Sequence, residues 1–216
     1  LYKFTMWQAL LHSHPGAQAE YTFVCRNQPQ FPLAELKEEV ERELDHLCSL
    51  RFSSDELAYL AQLRYMKSDF IDFLALFRFQ RKFIEVSTEG ERLCIVARGP
   101  QVHVMGFEIF VLYIVNELYF RRIGTPAAGA EARRRLEEKV ALLHAFATEA
   151  PRRHPFEFFD FGVRRRYSGA WQEEVVATLA REVPQYFKGT SNVWLAKKYQ
   201  LVPIGTMAHE LSLIHI

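Results

Sequence analysis

Three short segments in the last third of the chain concentrate groups that could do chemistry. They are Asp160-Phe161-Gly162-Val163-Arg164-Arg165-Arg166, Gly189-Thr190-Ser191-Asn192 and Gly205-Thr206-Met207-Ala208-His209-Glu210. Each holds a glycine, which permits close backbone approach. The first adds three guanidiniums, planar forks that bind two oxygens of a phosphate or carboxylate at once. The other two add hydroxyls and an imidazole. Taken singly, each is weak: Gly-Thr pairs are common turn chemistry, arginine triplets are usually solvated, and His209 is one of eight histidines. If the three segments converge, they describe an anion-binding site on a β/α barrel. If they do not, they are three ordinary turns, and these residues alone favour neither reading.

Convergence depends on the elements between the segments. Phe156 to Phe161 is a nearly continuous apolar run, as a strand buried on both sides would be. Trp171, Val175 and Leu179 are spaced by four, which predicts a helix. Tyr186-Phe187 reads as a brief strand, Val193 to Tyr199 as a helix, and Val202-Pro203-Ile204 as a further brief strand. Strand, loop and helix alternating at short spacing predict parallel β/α units, whose ligands gather on the loops at the C-terminal strand ends.

The first two thirds read as mixed α+β. Leu1 to Leu11 predicts a helix and Ala19 to Cys25 a strand; Leu33, Leu36, Val40, Leu44 and Leu47 share a helical face. Ser53-Ser54-Asp55-Glu56 resembles a helix start, and Ser68 to Phe77 a short helix. Phe83 to Val86 and Leu93 to Ala97 flank a turn at Glu89-Gly90, and Val102 to Met105 suggests a third strand. Residues 106 to 120 fit a buried helix. Residues 130 to 147 fit a charged one, with Leu136, Val140 and Leu143 on one face. There Glu131, Glu137 and Glu138 interleave with Arg133-Arg134-Arg135, so the triplet reads as a solvated face and not a basic patch. The texture changes after Pro151.

Composition narrows the classes. The chain has 216 residues, 49% hydrophobic and 25% charged, with 18 Phe, enough for a sizeable core and unlike a disordered chain. Its 27 basic and 26 acidic residues leave a net +1, no electrostatic reason to expect nucleic acid or an anionic membrane. Cys25, Cys48 and Cys94 show no disulfide or zinc spacing and read as buried reduced thiols in a cytosolic protein. The most apolar run, Ile109 to Val115, is too short to span a bilayer. GxxxxGK[ST], GxGxxG, GxSxG and HExxH are all missing, which argues against several nucleotide-binding, hydrolase and zinc-protease classes. His12 and His14, two apart before Pro15, read as surface and not as metal ligands. No metal site is expected in the chain itself.

In order and context, DFGVRRRYS, GTSNVWLA and PIGTMAHE resemble the nicotinate phosphoribosyltransferase family, and the opening LYKFTMWQA is similar to its N-terminal segment. The resemblance runs over almost all of residues 1 to 210. It implies an α/β fold: an N-terminal α+β domain (1–150), then the first β/α units (151–210) of an incomplete type II phosphoribosyltransferase α/β barrel. Residues 211–216 (LSLIHI) do not resemble the family and are expected to be a non-native tail. The chain opens on Leu1, which suggests a fragment.

The resemblance further implies that nicotinate and phosphoribosyl pyrophosphate become nicotinate mononucleotide and pyrophosphate, coupled to ATP hydrolysis, with Mg²⁺, in cytoplasmic NAD biosynthesis. By position in the motifs, Tyr2 and Phe161 match aromatics on the two faces of the nicotinate ring, Tyr2 reaching over from the second subunit of a homodimer. Arg164 matches an arginine near the substrates, and Arg165, Arg166, Thr190 and Asn192 are weaker matches. Thr206 matches a nicotinate-contacting threonine and His209 the histidine that ATP phosphorylates. Ser191 stands where nicotinamide-using relatives carry an aspartate. An acid there would repel a carboxylate, so serine favours nicotinate. Two alternatives remain: an inactive fragment or regulatory binding protein derived from that enzyme, and a same-fold enzyme using nicotinamide or quinolinate.

Overall fold

The computed structural model describes residues 1–26, 31–148 and 156–205, which form two compact units. One comprises Tyr2 to Tyr119; the other comprises Leu1 with Phe120 to Gly205.

In the first unit, helix α1 (Tyr2–Ser13) buries Met6, Trp7 and Leu10 on one face. Strands β1 (Gln18–Phe23), β2 (Ile84–Glu89) and β3 (Arg92–Pro100) make an antiparallel sheet in the order β1-β3-β2. The β2–β3 hairpin turns at Gly90, whose φ of 60° favours glycine. Helix α2 (Lys37–Ser49), after a 3₁₀ turn at Leu33–Leu36, buries Val40, Leu44 and Leu47, the stripe its spacing predicts. Helix α3 (Ser54–Ala61) starts in a full capping box, Ser53 and Glu56 each accepting the other's backbone N–H. Helix α4 is Ser68–Leu76. The core is aromatic: the Trp7 and Phe77 ring centroids lie 4.5 Å apart, edge to face, and Phe79 packs on Phe107 at 4.7 Å. The buried Trp7 indole donates to the Val102 carbonyl at 2.7 Å.

One expected element is corrected. Val102 to Met105 is no strand; residues 101–104 form the short helix α5 (Gln101–Val104). Alternation over four residues cannot separate a period of 2 from 3.6. Pro100 sits at its N-cap, and Val102 and Val104, on opposite sides of this short helix, are both buried, so burial alternates here without a strand.

Helix α6 (Phe107–Ile123) runs through the division between the units. Together, Gln101–Ile123 is long and apolar enough to cross a bilayer by length and composition, a longer stretch than Ile109–Val115. Half of its most apolar window is buried, and Phe107, Val111, Ile114, Val115 and Leu118 lie inside as in a core helix.

The second unit adds helix α7 (Pro126–Thr148), strand β4 (Phe158–Asp160), helix α8 (Gly169–Glu182), strand β5 (Phe187–Thr190), helix α9 (Val193–Lys198) and strand β6 (Val202–Pro203). Leu136 and Val140 of α7 join Val176, Val183, Phe187 and Leu195 in one core, with Leu143 beside it. Compact packing therefore divides the chain at Tyr119/Phe120, earlier than the change of texture at Pro151, which lies outside the described residues. On α7, Arg134 pairs with Glu131 and Glu138, Arg135 with Glu131, and Arg133 reaches Glu174 at 2.6 Å. The triplet is thus a solvated, paired face. Hydrogen bonds from Arg134 and then Arg135 hold the Glu131 carboxyl at about 2. The three cysteines are free and half-buried.

Candidate functional site

β4, β5 and β6 are parallel and adjacent in that order. Asp160 pairs with Thr190, and Thr190 with Pro203, so the three strands end level. The chain leaves them at one end of the sheet through residues 161–166, 191–192 and 204–205. The first two segments therefore leave adjacent strand ends at the same end of the sheet, as does Gly205 of the third, whose remaining residues 206–210 lie outside the described residues. Gly189 and Thr190 are the last residues of β5, not loop residues. β4 is shorter than its apolar run and only half-buried, with Phe156 and Phe161 exposed beyond its ends.

Gly189 is required by its neighbour. A Cβ there would lie 2.0 Å from the Val202 carbonyl oxygen of β6. The close backbone approach that glycine permits is an approach between strands.

Behind the strand ends lies a polar network. The Asp160 carboxylate accepts from the Gly162 N–H (2.9 Å) through Oδ1, and from Gln172 Nε2 (2.9 Å) and the Thr190 hydroxyl (2.7 Å) through Oδ2. Thr190 Oγ1 accepts from the Asn192 N–H at 3.0 Å. Asn192 Nδ2 donates to Gln172 Oε1 at 3.2 Å, while its Oδ1 caps α9 by accepting from Trp194 and Leu195. The Ser191 N–H donates to the Asp160 carbonyl at 2.8 Å.

The expected site residues therefore fall into groups. Phe161 is 47% exposed at the mouth of the first loop. Arg164 and Arg165 lie exposed on the 3₁₀ turn Val163–Arg165, with Arg166 half-buried after it. Ser191 is half-buried at the end of β5, its carbonyl accepting from the Leu1 amine at 2.8 Å. Thr190 has none of its surface exposed, and Asn192 spends both ends of its side chain inside the unit. These two hold the framework. Tyr2 opens α1 in the other unit, half-buried, with the Lys3 ammonium 5.8 Å from its ring centroid. Thr206 and His209 lie outside the described residues.

Asp160 and Gln172 escaped the sequence reading as site residues. The signal for Gln172 is its place four residues before Val176: these are the two buried positions of α8, and one of them is polar. The apolar spacing Trp171, Val175, Leu179 marks a partly buried face beside it.

Among the described residues, no group of three or more His, Cys, Asp or Glu is placed to hold a metal ion. Asp160 is already taken by three donors.

Fold and site together define an α/β protein whose polar loops gather at the C-terminal edge of a short parallel sheet. Residues 1–116 match the model of the nicotinate phosphoribosyltransferase (NAPRTase) N-terminal domain, and residues 156–215 that of the nicotinate phosphoribosyltransferase (NAPRTase) family. The chain belongs to this family. A nicotinate phosphoribosyltransferase of Herminiimonas arsenicoxydans is 73% identical over 97% of this chain and 53% of its own length. That of Chromobacterium violaceum is 57% identical over the same shares. The crystal structure of nicotinate phosphoribosyltransferase from Vibrio cholerae is similar with a TM-score of 0.87 and 32% identity, over 97% of this chain and 49% of that one. The chain spans about half the length of the relatives it matches.

Proposed function

We propose that this chain carries the nicotinate side of a nicotinate phosphoribosyltransferase, which joins nicotinate to the ribose carbon of phosphoribosyl pyrophosphate and releases pyrophosphate. The observation that supports the reading is the level row of strand ends, where the Ser191 N–H donates to the carbonyl of Asp160, the residue before Phe161. Phe161 offers one face for a flat heteroaromatic acid, and Tyr2, from a second copy in a homodimer, offers the other. Arg164 suits a carboxylate or phosphate. Ser191 and Thr206 contact the acid without repelling it. C–N bond formation passes through an oxocarbenium-like state, so positioning and cations around the leaving pyrophosphate supply the catalysis.

ATP coupling runs through His209. A neutral ring nitrogen attacks the γ-phosphoryl group, an N–P bond forms as the bridging P–O bond breaks, and ADP leaves. The new charge reorganises pyrophosphate binding. Magnesium, when bound, neutralises phosphate charge; no ligand set for it is found among the described residues.

The test joins this chain to the part of the Herminiimonas arsenicoxydans relative that it does not cover. The product is expected from nicotinate and not from nicotinamide. Ser191→Asp should lower kcat/KM for nicotinate by on the order of a hundredfold, from like-charge repulsion. His209→Ala should abolish ATP coupling and leave some uncoupled transfer; full ATP hydrolysis in that variant would sink the phosphohistidine. Equal use of nicotinamide would overturn the substrate.

A further inference from the structure

We infer that Asp160 and Gln172 form a one-directional hydrogen-bond relay that positions Phe161 and Ser191 for the substrate ring. The inference rests on the functional reading above for what those two residues touch.

Backbone donors set the direction. The Trp194 and Leu195 N–H groups claim Asn192 Oδ1, so Asn192 Nδ2 must face Gln172 Oε1. That turns Gln172 Nε2 toward Asp160 Oδ2. At the other end the Gly162 N–H claims Asp160 Oδ1. The Thr190 hydroxyl, filled on its oxygen by the Asn192 N–H, must give its proton to Oδ2. Only a side chain that accepts at both oxygens fits position 160, and only an amide in one orientation fits 172.

The relay brackets both substrate-facing residues. Phe161 lies between Asp160 and Gly162, which are tied to each other. Ser191 lies between Thr190 and Asn192, also tied to each other, with its own N–H on Asp160. Gln172, 4% exposed, joins the two brackets from α8. Buried polar groups left without a complementary partner are costly, so an error in one bracket is felt in the other.

A rescue is expected from this donor and acceptor order. In Asp160→Asn, an NH₂ group faces either Gly162 or the Gln172–Thr190 pair, all donors. Gln172 cannot turn over without presenting its own NH₂ to that of Asn192. In Gln172→Glu, a second carboxylate faces Asp160 Oδ2. In the double variant Asp160→Asn/Gln172→Glu, donors and acceptors match again at every contact but the Thr190 hydroxyl.

The experiment has two arms. Amide hydrogen exchange at Gly162, Ser191 and Asn192 is measured in the 216-residue chain. Steady-state kinetics are measured in the chain joined to the remainder of its Herminiimonas relative. Each single variant should speed exchange in both loops and leave α7 unchanged. Each should raise KM for nicotinate about tenfold, with KM for phosphoribosyl pyrophosphate within about twofold, because a misplaced ring contact weakens one substrate only. The double variant should lie closer to the unsubstituted protein than either single, a coupling that general destabilisation does not produce. Unchanged exchange in the singles, a double variant as damaged as the worse single, or a parallel rise in both KM values overturns the relay. If the unsubstituted joined chain makes no product, the functional reading falls, and the exchange cycle alone decides whether the relay exists.

Discussion

At the scale of single residues, position in a motif and position in the fold carry different information. Phe161, Arg164 and Ser191 stand at or beyond the strand ends, where their types could act on an anion or a flat ring. Thr190 and Asn192 share the motif of Ser191, yet hydrogen-bond within the framework. Spacing could not tell these two groups apart, because what distinguishes them is which hydrogen bonds the neighbours make. The same holds for His103 in the other unit. It is stacked between Phe77 and Phe83, at 5.9 and 5.6 Å, and its Nδ1 is buried without a partner. Desolvation, and then the Lys82 charge, lower its pKa below the ordinary 6.5. The fold therefore favours neutral imidazole, while the unfolded chain takes up a proton near the ordinary value. The stability this confers is complete above about pH 6.5 and is lost as pH falls through the lower folded value. His103→Leu should flatten the dependence: urea midpoints at pH 7.5 and 5.5 should lie closer together than in the unsubstituted chain. An unchanged gap would remove His103 as the source.

At the scale of elements, local rules served wherever one signal spanned enough residues. The leucine stripe of α2, the Ser53 cap of α3 and the β2–β3 turn were all legible. α5 was not, for it has only four residues. Glycine shows why local reading stops short of packing. Gly189 and Gly129 are alike as letters, but a Cβ at Gly189 meets the β6 backbone at 2.0 Å, whereas one at Gly129 in α7 meets nothing within 4 Å. The substitutions should have opposite signs. Gly189→Ala must push two paired strands apart and should cost about 1–3 kcal/mol or more. Gly129→Ala removes backbone freedom from the unfolded chain and should stabilise by about 0.5–1 kcal/mol. Thermal melts of the two variants decide this, and the same sign in both would refute the packing argument.

At the scale of the molecule, the parallel sheet and the family were readable, and compact packing divides the chain earlier than its change of texture does. Texture changes near Pro151 because strands resume there, but α7 packs Leu136 and Val140 into one core with Val176 of α8, Phe187 of β5 and Leu195 of α9. Composition reports the kind of element, not what it packs against. The gathered loops bear on activity in the same way. They present Phe161, Ser191 and guanidiniums, the groups proposed above to meet a flat acid. The carboxylate at the strand ends is spent on three donors, and no metal-holding group of three occurs among the described residues. Stabilising a leaving pyrophosphate needs cations organised around it, and the chain covers 53% of the length of its 73% identical relative. The 216-residue chain by itself is therefore expected to form no nicotinate mononucleotide, whereas the chain joined to the remainder of that relative forms it. Chromatographic assay of product from both, at equal concentration and with ATP present, is the measurement. Turnover by the 216-residue chain alone would place the pyrophosphate site within these residues and refute the division of labour between the two halves.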